Sequence, residues 1–323
     1  MDCNSCTSLV TLPELPPGLK NLSCNCCTSL VTLPELPPGL EEFDCSYTSI
    51  VTLPELHHGL IQLDLNFCKS LVTIPELPNG LLVLICNRCT SLVNLPQLPI
   101  GLRELECNNC TSLISLPQLP LGLEKLDCSN CTSIVSLPQL PLGLQILICS
   151  SCKSLVSLPQ LPKGLQILIC TGCILVKLPQ LPLELSELNC SGCTSLVTIP
   201  ELPPALKVLK ITKCRLIVSL HELPQELEFL DCDDCTSLTN LPKQLPPGLR
   251  VFFCSGCVRL YLPLNLHVKY RKYTNSVNGY SPTQISIIVT KIQRRFIEKI
   301  YHPEHPFVLG MLKNTKRICL KQN

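Results

Sequence analysis

"LRELECNNCTSLISLPQLPLG", Leu102 to Gly122, is followed at once by "LEKLDCSNCTSIVSLPQLPLG", Leu123 to Gly143. The pattern runs through most of the chain. The first position of its C-x-x-C pair falls at residues 3, 24, 45, 65, 86, 107, 128, 149, 170, 190, 211, 232 and 254, which makes 13 copies. Most are 21 residues long; copies of 20 start at Cys45 and Cys170, and one of 22 starts at Cys232. A fixed short period signals stacked units that bury a core only between neighbours.

Within one copy, apolar residues fall at Leu102, Leu105 and Cys107, then at Cys110, Leu113, Leu116 and Leu119. The piece around Leu105 alternates out and in, as a short strand does. The second half carries Pro117 and Pro120, leaving no room for a regular helix, so it should run extended and PPII-like along the outside. Gly122 is expected to allow the tight corner into the next strand. With strands about 4.8 Å apart, 13 copies make a stack roughly 60 Å long.

The C-x-x-C pairs admit three readings: a zinc site, a disulfide ladder, or small apolar residues filling a core. Leu65 and Ile211 replace the first cysteine, and Tyr47 and Thr48 occupy the second cysteine's region in the third copy. A zinc ligand cannot be exchanged for leucine, whereas a core position can. Two buried thiol columns are therefore expected, with the second cysteine also serving backbone groups of the turn. No metal or other cofactor is expected. Cys26 lies outside both columns and should face the surface as the thiol readiest to react.

The spacing L-x-x-L-x-C-x-x-C is that of leucine-rich repeats, Cys107 taking the third leucine position and Cys110 the Asn/Cys position. The "LPxLPxGL" phrase resembles the short repeats of bacterial type III effectors. "LPELPPGLKNLSCNCCTSLVTLP" is also similar to C-terminal repeats of plant immune receptors. The cysteine-heavy array resembles leucine-rich repeat proteins of giant DNA viruses (mimivirus relatives). The resemblance covers residues 1–262. It implies a solenoid with short parallel β-strands on a concave face and an extended convex side. It also implies protein binding, and an adaptor role in ubiquitin or innate-immune signalling is the alternative. A further alternative is zinc or thiol binding through stacked C-x-x-C pairs.

Composition narrows the class. The chain has 323 residues, 30 prolines, 25 cysteines, no tryptophan and 46% hydrophobic residues. No apolar run is long enough to span a bilayer. The start lacks the regions of a signal peptide, so a cytoplasmic, reducing setting is expected, in the host if the protein is viral. Residues 1–257 carry 14 Lys/Arg and 22 Asp/Glu, a net −8; residues 258–323 carry 12 and 2, a net +10. The acidic body argues against nucleic acid as the partner. The repeats offer no acid–base pair with a nucleophile, so the expectation is a non-enzymatic scaffold for a host or viral protein.

Strand residues between the leucines should face that partner. In the first half they include Glu42, Asp44, Asp64, Glu104, Glu106 and Asp127, an acidic stretch. Ile146, Ile148, Ile167 and Ile169 follow on two adjacent copies, and Phe229 and Phe253 further along. Residues 263–280 read as a linker and 281–323 as a basic helical tail. Ser281 is an N-cap, and Ile285, Ile288, Val289, Ile292, Phe296 and Ile300 share one helical face up to Pro303. This helix is expected to cap the last copy, with membrane-surface or calmodulin contact through 281–301 as the alternative. Met1 begins inside a repeat, so the first strand edge should be open or paired.

Overall fold

The computed structural model describes residues 1–220, 222–242 and 244–260; the expected linker and C-terminal helix lie outside them. Twelve strands of three residues follow one another: β1 (Asn21–Ser23), β2 (Glu42–Asp44), β3 (Gln62–Asp64), β4 (Val83–Ile85), β5 (Glu104–Glu106) and β6 (Lys125–Asp127), then β7 (Ile146–Ile148), β8 (Ile167–Ile169), β9 (Glu187–Asn189), β10 (Val208–Lys210), β11 (Phe229–Asp231) and β12 (Val251–Phe253). They form one parallel sheet in sequence order. Each strand belongs to one repeat, so each repeat is one rung, and the rung of Cys3 adds an isolated bridge from Asp2 to Ser23.

The register explains the period. Leu105 pairs with Leu84 before it and Leu126 after it. The middle residue of every strand is buried, and its two neighbours point away from the core. The leucine that opens the strand, the two cysteine columns and the leucines of the extended half complete the core. A leucine fully buried in this way contributes about 1.5–3 kcal/mol over its exposed state.

Each strand ends in a turn. In the second rung Cys27 N–H donates to the Cys24 carbonyl, and Cys26 between them has φ +62°. The third residue of the C-x-x-C segment is left-handed in every rung, from Ser5 through Asn109 to Gly256. That conformation turns its N–H toward the next rung, where Asn109 reaches the Ser129 carbonyl at 2.6 Å. Gly172, Gly192 and Gly256 adopt it freely, and Asn109 and Asn130 tolerate it.

The extended half carries prolines, which have no N–H for a continuous ladder. Neighbouring rungs are joined there by isolated bridges, such as Thr11 with Thr32 and Thr52 with Thr73, and by single hydrogen bonds. The corner back to the sheet is closed by a hydrogen bond from Leu123 N–H to the Pro120 carbonyl. The corner glycines differ from the expectation. Gly122 is not left-handed, and none of its counterparts is. What Gly143 supplies is room, because a Cβ there would sit 2.9 Å from the Leu121 carbonyl oxygen. Glu184, Ala205 and Glu226 take the same position in the later rungs.

The cysteines fill two buried columns, and every described cysteine is free of a disulfide. Leu65 and Ile211 occupy the first column without any loss of burial. The second column has a polar task. Cys110 Sγ donates to the Cys86 carbonyl at 3.0 Å, Cys131 to Cys107 at 3.0 Å, and Cys89 to Leu65 at 3.1 Å. In the third rung Thr48 Oγ1 donates to the Cys45 carbonyl of its own rung at 2.7 Å. A thiol that donates its proton to a carbonyl is not the thiolate that zinc requires. Burial pushes the Cys24 and Cys45 thiols up, and Cys254 up to about 12. Cys26, expected as the most open thiol, is half-buried in its turn, whereas Cys6 is exposed.

Candidate protein-binding face

The outward residues of the strands build one continuous face. At its start Glu42 is exposed and accepts a hydrogen bond from Asn21 Nδ2 at 2.7 Å. Asp44 and Asp64 are register partners. The Ser46 hydroxyl lies 2.6 Å from Asp44 Oδ1 and 2.8 Å from Asp64 Oδ1, tying the two carboxylates together. Asp64 also accepts the Asn66 N–H at 2.9 Å. Burial nevertheless pushes its carboxyl up to about 6. Burial likewise raises Asp127, although the Ser129 N–H opposes the shift.

Glu104 and Glu106 are not bare acids. Lys125, one rung on, contacts both carboxylates. Burial alone would raise Glu106, but the ammonium and the Asn87 amide outweigh it and hold the carboxyl below its usual range. The same two carboxylates raise Lys125 against its own burial. The acidic stretch is thus broken in its middle, leaving Glu42, Asp44 and Asp64 as one group and Asp127 as another.

Ile146 and Ile167 are register partners, as are Ile148 and Ile169. All four are half-buried and stand on the outward side of β7 and β8. They form a two-by-two aliphatic block between polar rungs. Phe229 departs from the sequence reading, being only 5% exposed. Phe253 packs edge-on against it with ring centroids 5.8 Å apart, and the Lys210 ammonium sits over its ring. Val208 and Val251 are buried as well, so this end of the face presents Phe253, half-buried, rather than an open aromatic row.

One group beside the face escaped the sequence reading. Tyr47 and Phe67 stack with centroids 4.1 Å apart and ring planes 14° apart, and the Arg88 guanidinium caps the Phe67 ring at 4.7 Å. All three occupy the left-handed turn position of consecutive rungs. The glycines at that position further along were the available signal for a shared, outward-facing column.

Among the described residues no group of three or more His, Cys, Asp or Glu side chains is placed to hold a metal ion. No helix among them is long and apolar enough to cross a membrane.

The rung geometry has solved counterparts. YopM from Yersinia enterocolitica WA-314 superposes with a TM-score of 0.60 at 30% identity, over 76% of this chain and 61% of its own. The leucine-rich effector protein YopM from Yersinia pestis gives 0.59 at 29% identity, over 77% and 75%. The fold is a leucine-rich repeat solenoid. This solenoid spans less than two thirds of the first counterpart's length. No protein-family model matches the chain, and no curated protein sequence does. Leucine-rich repeat solenoids suit protein binding, because a row of identical strands offers a long, rigid, outward-facing surface.

Proposed function

We propose that the chain is a non-enzymatic scaffold that holds a protein partner on the open face of its sheet. The observation that carries this is the isoleucine block. Four aliphatic side chains in exact cross-strand register stand half-exposed on a polar face, where covering them would be favourable. Asp44, Asp64 and Asp127 flank the block on its N-terminal side and would steer a basic surface toward it. Phe253, four strands further along, offers a second half-buried contact, whereas Phe229 beside it is buried.

The test replaces Ile146, Ile148, Ile167 and Ile169 with serine in the full chain and compares proteins captured by the two forms. Loss of capture with the fold intact supports the reading. Unchanged capture overturns it.

The finer parts of the proposal rest on the repeat resemblance and on the free thiols. In that reading the protein works in a reducing cytoplasm, takes a host or viral protein as partner, and is akin to the cysteine-rich repeat proteins of giant viruses. The adaptor role in ubiquitin or innate-immune signalling has support only from analogy of fold. The division at residue 262 and the basic tail from 281 belong to the proposal on the strength of the charge asymmetry.

A further inference from the structure

A second surface runs along the stack, away from the strand face. The residue after the leucine of "TSLV" is Val or Ile in rungs one to eleven, from Val10 to Val218. In ten of these rungs it is 40–58% exposed, with Ile114, Val135, Val156 and Val176 among the most open. At four of the steps the backbone beneath is bonded directly between rungs: Val31 N–H donates to the Val10 carbonyl at 3.3 Å, Val72 to Val51 at 3.2 Å, Ile114 to Val93 at 3.2 Å and Val197 to Val176 at 3.3 Å. The aliphatic side chains therefore recur once per rung as one stripe, about a strand spacing apart. Ser and Thr flank it in most rungs, as at Ser133 and Ser136. Exposed Ile174 and Leu216 widen it.

We propose that this stripe joins two copies of the chain. Its exposed aliphatics leave on the order of 800 Å² of largely apolar surface, the share that one partner gives to a standard interface and more than a monomer usually leaves in one patch. The occupant follows from the period. Only a surface with the same rise per rung keeps an aliphatic against an aliphatic along eleven rungs, and a second solenoid has that rise. A two-fold contact of this kind is self-complementary and closes at the dimer. Most flanking residues are uncharged Ser or Thr, Lys177 beside Val176 being an exception, so the stripe offers little to an anionic membrane or a charged peptide. The stripe is separate from the strand face, which stays open for another partner.

Sedimentation of the full chain over a concentration series tests this. The unsubstituted protein is expected as a dimer. Replacing Val135, Val156, Val176 and Val197 with serine should weaken self-association by about 100-fold or more, the scale at which central apolar contacts of an interface act. Resistance of the buried cysteines to a thiol reagent reports that the fold survives; if it fails, the single Val156→Arg variant is read instead. Serine replacement of the four isoleucines should leave the dimer intact. A monomer at every concentration, a substituted stripe that dimerises as before, or a dimer lost only with the isoleucines overturns the proposal.

Discussion

The Cys110 thiol donates to the backbone carbonyl of Cys86, one rung earlier, across 3.0 Å. The two cysteines of one C-x-x-C segment therefore do different things. Cys107 fills space, and Cys110 closes a backbone acceptor that water cannot reach. Cys110→Ala should cost about 1–3 kcal/mol by leaving that carbonyl unpaired. Cys107→Leu should cost less than about 1.5 kcal/mol, since Leu65 and Ile211 already fit that column. Urea denaturation of both variants checks the order; equal costs would contradict the division of labour.

Asp64 predicts a pH dependence. Its folded carboxyl holds its proton up to about pH 6, whereas an unfolded aspartate loses it near pH 4. Between those values the folded state binds more protons, so this residue's effect on stability becomes less favourable as pH rises and is constant above. Asp64→Asn should thus stabilise the protein by on the order of 1 kcal/mol near pH 7, with the gain gone by about pH 4. Thermal unfolding across that range gives the answer. A basic partner held by Asp64 would also bind less tightly as pH falls below about 6.

Lys125 decides the charge state of its neighbours. Lys125→Met removes the cation that offsets burial at Glu106. The Glu106 carboxyl should then rise above its usual range, and the variant should lose stability toward neutral pH relative to acid pH. Carboxyl titration by NMR in both proteins measures the shift; an unmoved Glu106 would deny the pairing its role.

The corner glycines can be separated by crowding. A Cβ at Gly143 would lie 2.9 Å from a backbone carbonyl oxygen, but at Gly164 the nearest atom is 3.7 Å away. Gly143→Ala should destabilise by about 1–3 kcal/mol, as overpacking does. Gly164→Ala should be neutral or stabilising by up to about 1 kcal/mol through the unfolded chain. Denaturation midpoints of the pair distinguish room from flexibility as the reason for glycine.

The fold was legible because the sequence varies where the structure is indifferent. Leu65 and Ile211 in a cysteine column announced packing, and the prolines announced an extended return. What stayed hidden depends on contacts between rungs. Lys125 lies 21 residues from Glu104, and only the register sets them side by side. Phe229 alternates like its exposed counterparts, yet neighbouring side chains bury it. The left-handed turn position holds Ser, Cys, Tyr, Phe, Arg, Asn, Lys, Asp and Gly, a mixture with no apolar pattern. The valine stripe merged with the leucines beside it, because an extended chain with prolines has no simple period to say which side each residue takes.

From the fourth rung on, the second-column thiol bonds a carbonyl one rung back, and this makes the length of the protein adjustable. Removing residues 107–127 would join Glu106 to Cys128 in an unbroken frame. Cys131 would then meet the Cys86 carbonyl in place of the one it lost. The removed unit takes with it the Lys125 contacts to Glu104 and Glu106, a joint particular to that place. Recombination between copies of the gene's repeats could lengthen or shorten the molecule by whole units while keeping the thiol bond between rungs, so reach along a partner is a quantity open to selection.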